Sequence, residues 1–230
     1  MTTGIALAPG QELLDDPAAD AARVTTSLGN VQRSNRWFGG TAAALHGLRR
    51  VLGPAQGRVT LLDIGTGLGD VPRVAVRWAA RRGVTLAPIG LERHRTAAHL
   101  AAGSDLPLLL GCAGALPVRD ASVDIVLLSQ VLHHLERTAA IALLRAADRV
   151  ARRGVVVADL RRSEVAVRLF EIGATLLRFD ADTRTDGITS VRRGYSSTEL
   201  RALAEAAGVA ATVERRPGFR LVLWWKKGVA

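Results

Sequence analysis

The chain has 230 residues, of which 48% are hydrophobic and 23% charged, and its 31 basic and 21 acidic residues give a net charge of +10. This composition is typical of a globular protein, and the length fits one α/β domain better than two. No segment is apolar for long enough to span a bilayer, which excludes a membrane-embedded protein. The lone Cys112 excludes an internal disulfide, and the first ten residues lack the basic start of a secretory signal. We therefore expect a cytoplasmic protein without a membrane partner.

Almost all of the basic excess is arginine, a residue that suits a nucleic-acid partner. The arginines are scattered in pairs, however, and two pairs, Arg81-Arg82 and Arg152-Arg153, each precede a glycine. We interpret these pairs as the last turns of helices, where positive charge complements the helix dipole. Aromatic residues make up only 4% of the chain, which leaves few surfaces for stacking bases. The composition therefore disfavours nucleic acid. It does not indicate an oligomeric state, so a homodimer stays open.

The chain begins with residues 1–20, a Pro-, Asp- and Ala-rich stretch without periodicity, which predicts a loosely ordered arm. From Asp20 the apolar residues recur every three or four positions, and this spacing predicts a helix that ends at Gly39-Gly40. A second apolar stripe, from Leu45 to Leu52, predicts another helix. Two helices thus precede the first strand.

Strands and helices then alternate, which indicates parallel βαβ units and a doubly wound sheet. The run Val123–Leu128 is uniformly apolar, so we expect it at the centre of the sheet, buried on both faces. The predicted strands are 61–64, 85–91, 106–110, 123–128 and 155–158, and the predicted helices are 71–82, 94–102 and 138–151.

The end of the chain departs from this alternation. A helix over 164–178 is followed by a polar stretch up to Tyr195, so residues 161–195 are interpreted as an insertion after the fifth strand. Ser196 and Glu199 have the spacing of a capping box, which predicts a helix up to Ala207. Residues 209–214 and 219–225 then predict a closing antiparallel hairpin. The expected fold is a mostly parallel, seven-stranded α/β sheet.

The most informative stretch is Leu61–Asp70, LLDIGTGLGD, in which three glycines alternate after an apolar run. Glycine tolerates positive φ and lets backbone N–H groups approach a ligand at a helix N-terminus, so the pattern predicts a nucleotide-like cofactor. A dinucleotide fingerprint would need its third glycine where Asp70 stands. A glycine turn without any ligand is the alternative.

Counted from Asp63, the spacing D-x-G-x-G-x-G resembles motif I of the class I S-adenosylmethionine-dependent methyltransferases. Glu92, at the end of the second strand, matches the acid that binds the cofactor's ribose in this family, a role that suits a carboxylate with two acceptor oxygens. The run Gly111–Leu135, GCAGALPVRDASVDIVLLSQVLHHL, resembles the family's third and fourth strands. The resemblance covers residues 58–160 and implies a Rossmann-like methyltransferase fold that binds S-adenosyl-L-methionine.

The resemblance also implies a set of cofactor-binding residues. Ala113 and Gly114 would lie against the adenine, and Ser129 and Gln130 beside the methionine part. Cys112 departs from the aspartate that is common in the family, and it is interpreted equally as a small buried hydrophobe. The expected cofactor-binding residues are Asp63, Gly65, Thr66, Gly67, Gly69, Glu92, Cys112, Ala113, Gly114, Ser129 and Gln130.

His133 and His134 follow the fourth strand, at the edge where open α/β sheets bind ligands, and are the candidate catalytic bases. The alternative is that they only pack and hydrogen-bond. Residues 1–57 and the insertion 161–195 are expected to form a lid over the acceptor, with Trp37, Arg161 and Tyr195 as substrate contacts. The histidines are scattered apart from this pair, so no zinc spacing is found and no metal is expected.

The expected domains are 1–57, an arm with two lid helices, and 58–230, the cofactor-binding domain. The expected function is methyl transfer to a small molecule of secondary metabolism, at an oxygen of a phenolic or carboxylic, polyketide-like metabolite. Two alternatives stay open. One is a nucleic-acid methyltransferase, although the Asn/Asp-Pro-Pro-aromatic motif of amine-methylating enzymes is replaced by Ser129-Gln130-Val131-Leu132. The other is a cyclase or binding protein that keeps the cofactor but transfers nothing.

Overall fold

The structure, a computed structural model, describes residue 10 and residues 12–16, 18–53, 57–103 and 106–228. Residues 1–9 of the predicted arm therefore lie outside the described residues. The helices are α1 (Ala21–Trp37), α2 (Gly40–Leu52), α3 (Asp70–Ala80), α4 (Arg95–Ala102), α5 (Arg137–Val150), α6 (Glu164–Leu176), α7 (Ala181–Arg193) and α8 (Ser197–Ala207). The strands are β1 (Gly57–Ile64), β2 (Val84–Glu92), β3 (Leu108–Leu110), β4 (Val123–Ser129), β5 (Ala151–Leu160), β6 (Thr212–Arg216) and β7 (Arg220–Lys226).

The strands form one seven-stranded sheet in the order β3-β2-β1-β4-β5-β7-β6. β1 to β5 pair in parallel, whereas β7 runs antiparallel to β5 and β6. The predicted doubly wound sheet with a closing hairpin is confirmed, and β4 lies at its centre as expected. The carboxyl ends of the parallel strands meet at one edge, where open α/β sheets bind ligands.

The core lies on both faces of the sheet because successive strand residues point to opposite sides. Leu61 packs in the layer that contains α2 and α3, and the next residue, Leu62, packs in the layer that contains α5 and α8. This double burial explains why the central strands read as continuous apolar runs. Among the described residues, no helix combines the length and the apolar character needed to cross a bilayer.

Two sequence-based interpretations are wrong. β5 begins at Ala151, so Arg152 and Arg153 lie in a strand rather than in the last turn of a helix. Arg152 pairs there with Asp124 at 3.3 Å, and Arg153 donates to the Leu52 carbonyl at 3.3 Å. The arm is also more ordered than predicted over residues 12–16, where Leu13–Asp15 form a 3-10 turn and Glu12 is buried.

The polar stretch of the insertion forms helix α7. Asp180 caps it, since its Oδ1 accepts from the Thr183 N–H at 2.9 Å and its Oδ2 from the Thr183 hydroxyl at 2.7 Å. α6 packs beside α7, and α1 contacts α7 as well. The insertion is therefore a pair of helices that stands next to α1 at the carboxyl edge of the sheet.

Candidate functional site

Two cavities adjoin at the carboxyl edge of the parallel strands. The strand-end cavity, of about 220 Å³, is lined by the glycine turn, the end of β2, the start of the segment after β3 and the end of β4. The lid cavity, of about 500 Å³, lies between α1, α6, α7 and the start of β7. They share the lining residues Glu12, Leu14, Val31, Gln130 and Ser190. A molecule in one cavity is therefore a direct neighbour of a molecule in the other.

The glycine turn forms one wall of the strand-end cavity. Gly65, Gly67 and Gly69 all have positive φ, at 71°, 52° and 71°. A Cβ on Gly65 would also lie 2.7 Å from the Val131 side chain, so this position excludes any larger residue. The turn leads directly into α3, whose first residue is Asp70.

Glu92 ties the glycine turn to the end of β2. Its Oε2 accepts from the Gly67 N–H at 2.9 Å, and its Oε1 accepts from the Arg93 and His94 N–H groups at 2.8 and 3.0 Å. An ionised carboxylate offers about four acceptor positions, so these three bonds leave room for one further donor. That capacity suits one hydroxyl group, whereas the sequence-based expectation is a carboxylate that accepts two hydrogen bonds from the ribose.

The buried polar atoms of this cavity that lack a hydrogen-bond partner among the described residues include Asp63 Oδ1 and Ser129 Oγ. The other oxygen of Asp63 accepts from the Thr66 hydroxyl at 2.7 Å. Burial raises the pKa of Asp63 to about 7; the Thr66 bond opposes this effect, and the charges of Asp70 and Glu92 add to it. A cation here would meet an unpaired carboxylate. S-adenosylmethionine carries positive charge on its sulfonium and ammonium groups, so the donor set fits it.

Most of the expected cofactor-binding residues line the strand-end cavity, but three do not. Asp63, Gly65, Thr66, Gly67, Glu92, Ala113, Ser129 and Gln130 line the strand-end cavity. Gly69, Cys112 and Gly114 do not. The Cys112 sulfur instead accepts from the Gly114 N–H at 3.4 Å, which holds the local turn. Gly111 lines the cavity too, although sequence reasoning did not select it.

Gln130 joins the two cavities through a chain of side-chain hydrogen bonds. Its Oε1 accepts from Arg220 Nη1 at 2.9 Å, and its Nε2 donates to Asn35 Oδ1. Asn35 in turn donates to Asp70 Oδ2 at 3.1 Å. Gln130 holds a φ of 57°, a backbone conformation that costs about 1–3 kcal/mol in residues other than glycine. The surrounding hydrogen bonds hold the Gln130 side chain between the two cavities despite its strained backbone.

The two histidines lie on a 3-10 turn, Leu132–His134, after β4. His133 is 2% exposed, and its Nδ1 is 2.6 Å from Asp159 Oδ1. Burial alone would raise the pKa of Asp159, but the charge and hydrogen bond of His133 lower it. The Tyr195 hydroxyl donates to the Leu132 carbonyl at 2.8 Å, and Tyr195 lines neither cavity. Tyr195 therefore supports the turn that carries the histidines.

His134 faces the arm. Its Nδ1 is 3.2 Å from Asp15 Oδ1, and Arg193 Nη1 approaches Glu12 and Asp15 at 2.8 and 3.1 Å. Burial would raise the pKa of Asp15, but His134 and Arg193 lower it to about 2. Burial raises the pKa of Glu12. The arm is thus fixed over the strand-end cavity by a buried ionic cluster.

The same cluster contains the only grouping within the described ranges that could hold a metal, Glu12, His133 and His134. Their potential ligand atoms lie within 4.8 Å of one another. Residue spacing could not reveal this grouping, because Glu12 and the histidines are far apart in the chain. Both oxygens of Glu12 already accept hydrogen bonds, from Arg193 and from Ser190, each at 2.8 Å.

The walls of the lid cavity are mainly apolar. Arg161 lines it, with its guanidinium 4.8 Å from the centre of the Phe219 ring, and Trp37 lines it while remaining 65% exposed. Arg220 is a lining residue that sequence reasoning missed, and it is only 3% exposed. An arginine at the start of the apolar run LVLWW was the available signal. The apolar lining residues include Leu14, Val31, Phe38, Leu160, Leu169, Phe170, Val191 and Phe219.

Comparison with known proteins places the family resemblance on residues 62–158, which match the model of a methyltransferase domain. No curated protein matches the chain in sequence. Among solved structures, an S-adenosylmethionine-dependent methyltransferase from Aquifex aeolicus has a TM-score of 0.61 and 14% identity, over 90% of this chain and 98% of that one.

Human N-acetylserotonin methyltransferase in complex with S-adenosylmethionine has a TM-score of 0.67 and 13% identity, over 96% of this chain and 60% of that one. The plantazolicin methyltransferase BpumL in complex with S-adenosylhomocysteine has a TM-score of 0.65 and 12% identity, over 90% of both chains. At such low identities these likenesses establish the fold alone.

Proposed function

Because residues 62–158 match the model of a methyltransferase domain and the fold is that of S-adenosylmethionine-dependent methyltransferases, we propose that this chain is a class I enzyme of that kind and that it methylates an oxygen atom of a small phenolic or carboxylic metabolite. The observation that carries the proposal is the lid cavity. Its volume of about 500 Å³ falls in the range of small-molecule sites, roughly 300–1,000 Å³. It is walled by α1, α6 and α7, and its aromatic lining suits a flat, mostly apolar acceptor.

Each part of the strand-end cavity has a proposed task toward the cofactor. Asp63 and Ser129 would hold the methionine end, Glu92 the ribose, and Gly111 and Ala113 the adenine. When bound, S-adenosylmethionine supplies a methyl group on a positively charged sulfur. Gln130 lies in the walls of both cavities and would orient the acceptor toward that group.

We assign the role of general base to His133. Its Nδ1 faces Asp159 at 2.6 Å, so the carboxylate fixes the tautomer with the proton on Nδ1 and leaves Nε2 free to accept a proton. His134 is the second candidate, and its Nδ1 lies 3.2 Å from Asp15, a carboxylate that Arg193 also contacts. Tyr195 is then a positioning residue, through its bond to the Leu132 carbonyl.

The two histidines can be separated by mutation. His133→Asn should lower kcat about 100-fold or more with little change in cofactor affinity, as expected for loss of a general base. It should also flatten the acidic limb of the pH–rate profile. His134→Asn is the matched variant and should lower kcat less than tenfold. Equal losses of kcat in both variants, with unchanged pH profiles, would contradict the assignment to His133.

The methyl-transfer proposal is tested with methyl-labelled S-adenosylmethionine and a cell extract separated into small molecules, RNA, DNA and protein. Label should move to an oxygen of a compound in the small-molecule fraction. Glu92→Gln, which weakens the ribose site, should abolish the transfer. Label in RNA or DNA would instead establish the nucleic-acid alternative. Cofactor binding without label in any fraction would favour the cyclase or binding protein.

The proposal also covers the location of the enzyme, its metabolic role and its need for a metal. A cytoplasmic location is favoured by the lone Cys112, and a role in secondary metabolism by the aromatic lid cavity. We also propose that the enzyme needs no metal, because Arg193 already neutralises Glu12 in the only candidate grouping that the described residues contain. Dialysis against a chelator should therefore leave turnover unchanged.

A further inference from the structure

The lid cavity contains a buried cation with no anionic partner. Arg220 is 3% exposed, and its Nε and Nη1 donate to the Phe38 carbonyl and the Gln130 amide oxygen at 3.0 and 2.9 Å. A guanidinium has five N–H donors, so most of its capacity is unused by these neutral acceptors. No carboxylate in the described part of the chain lies within ion-pair distance of Arg220.

A second guanidinium lines the same cavity. Arg161 stacks on Phe219, and its buried Nε lacks a hydrogen-bond partner among the residues that the structure describes. The two arginines come from adjoining strand ends, since Leu160 pairs with Arg220 across β5 and β7. Two arginines therefore line one mainly apolar cavity.

The acidic residues of this cavity do not neutralise them. Glu12 is paired with Arg193 at 2.8 Å. Asp186 accepts from the Leu13 N–H at 3.0 Å, and neither arginine lies within ion-pair distance of it. Asp159, whose charge acts on Arg220 from further away, is bound to His133. Burial lowers the pKa of Arg220 to about 10, so the guanidinium stays charged at neutral pH.

An unpaired buried cation is costly, and the cost is recovered when an anion binds. We infer that Arg220 and Arg161 form an anion-binding subsite, and that the acceptor is an aromatic compound carrying a carboxylate or similarly planar anion. Arginine suits this ligand because its fork of N–H groups matches a carboxylate in two-point contact. The inference rests on the proposed function, since it names the class of acceptor for the lid cavity.

The test compares a charged and a neutral probe of equal shape, 1-naphthoate and 1-naphthamide, by calorimetric titration into the full chain. Saturating S-adenosylhomocysteine fills the strand-end cavity, so that the probes compete only for the lid cavity. The wild-type protein should bind naphthoate at least tenfold more tightly than naphthamide, the range expected for charge-assisted hydrogen bonds. Equal affinities for the two probes would overturn the inference.

The variants Arg161→Met and Arg220→Met should each reduce the preference for naphthoate to threefold or less, while naphthamide affinity stays within about twofold. The matched control is Arg168→Met on the exposed side of α6, which should keep the full preference. If Arg220→Met does not fold, as judged by circular dichroism, the wild-type comparison and Arg161→Met decide. A full preference in Arg161→Met would overturn the shared subsite.

Failure of this inference is distinguishable from failure of the proposed function. If methyl label enters small molecules but only those without an anionic group, the subsite is wrong and methyl transfer stands. If no small molecule is labelled while wild-type protein still prefers naphthoate, the anion subsite stands and the proposed reaction is wrong.

Discussion

At the scale of single residues, the buried carboxyl group of Asp63 should make the binding of the positively charged cofactor depend on pH. Its Oδ1 is buried without a partner among the described residues, and burial raises its pKa to about 7. At pH 6 the free enzyme therefore carries a proton on most Asp63 side chains. A bound cation favours the ionised form, so binding of S-adenosylmethionine should release that proton.

This linkage predicts that cofactor affinity rises with pH up to about pH 7 and levels off above it. Calorimetry at pH 6 in two buffers of different ionisation enthalpy should show release of between half a proton and one proton per cofactor. Asp63→Asn, which cannot ionise, should bind more weakly and release none. A wild-type protein with pH-independent affinity would show that Asp63 does not meet the positive charge.

The sign for folding stability is opposite to that for binding. Because the folded-state pKa of Asp63 lies above its ordinary value of 3.8, the protonated form is favoured by folding. This contribution to the free energy of unfolding is fully present below pH 3.8 and is lost as pH rises through about 7. The ionised Asp63 carboxylate destabilises the fold when the cavity is empty, and the positive charge of the bound cofactor offsets this effect.

At the scale of elements, the arm and the lid helices show what the sequence could predict. The alternation of strands and helices and the capping box at Ser196 were readable, because their signals lie within a few residues of one another. The packing of Glu12 against Arg193 joins residues 181 positions apart, so no local pattern announced it. Arg220 is likewise far along the chain from most other residues of the lid cavity, so its placement there could not be predicted from a local pattern.

The sequence predicted which segments form the cofactor site better than it predicted which of their residues line the cavity. Glycine spacing located the turn, and Glu92 lines the cavity as the resemblance implied. Cys112 and Gly114 lie in the expected segment, but they form a hydrogen bond with each other and do not line the cavity. Tyr195 likewise follows the insertion as expected, yet its hydroxyl is directed to the Leu132 carbonyl. Side-chain direction depends on packing, which spacing along the chain does not encode.

Arg93 bonds to the arm and to Asp15 of its buried ionic cluster from the exposed side. Arg93 Nη2 lies 3.2 Å from the carbonyl oxygens of Leu14 and Asp15 and 3.4 Å from Asp15 Oδ1, and Arg93 is an exposed residue. Arg93→Met removes these bonds, which on an exposed side chain are together worth about 1 kcal/mol, so S-adenosylhomocysteine should both enter and leave about fivefold faster. Stopped-flow fluorescence measures the two rates.

Arg95→Met is the matched control, because Arg95 is exposed and lies only two residues away. Its association and dissociation rates should equal those of the wild-type protein. If Arg93→Met changes the dissociation rate alone, Arg93 binds the cofactor directly and the arm is not a barrier to its exchange.

At the scale of the whole molecule, the net charge of +10 attracts polyanions without any dedicated site. Transfer RNA and duplex DNA should therefore bind weakly at low ionic strength, and raising the salt from 50 to 200 mM should weaken this binding at least 100-fold. Electrophoretic mobility shifts measure it. Tight binding that persists at 200 mM salt would favour a nucleic-acid substrate over the small molecule proposed for the lid cavity.

The position of Glu12 in the walls of both cavities has a consequence for the order of events in turnover. Trp37 in the wall of the lid cavity is 65% exposed, whereas the arm contributes Asp15 to the wall of the strand-end cavity in addition to the shared Glu12 and Leu14. We expect a methylated product to leave past Trp37 while the arm stays in place, and spent cofactor to leave only after the arm has moved. We expect S-adenosylhomocysteine to leave last, so that it inhibits competitively against S-adenosylmethionine and non-competitively against the acceptor. The catalytic cycle would then be limited by opening of a short N-terminal segment rather than by chemistry.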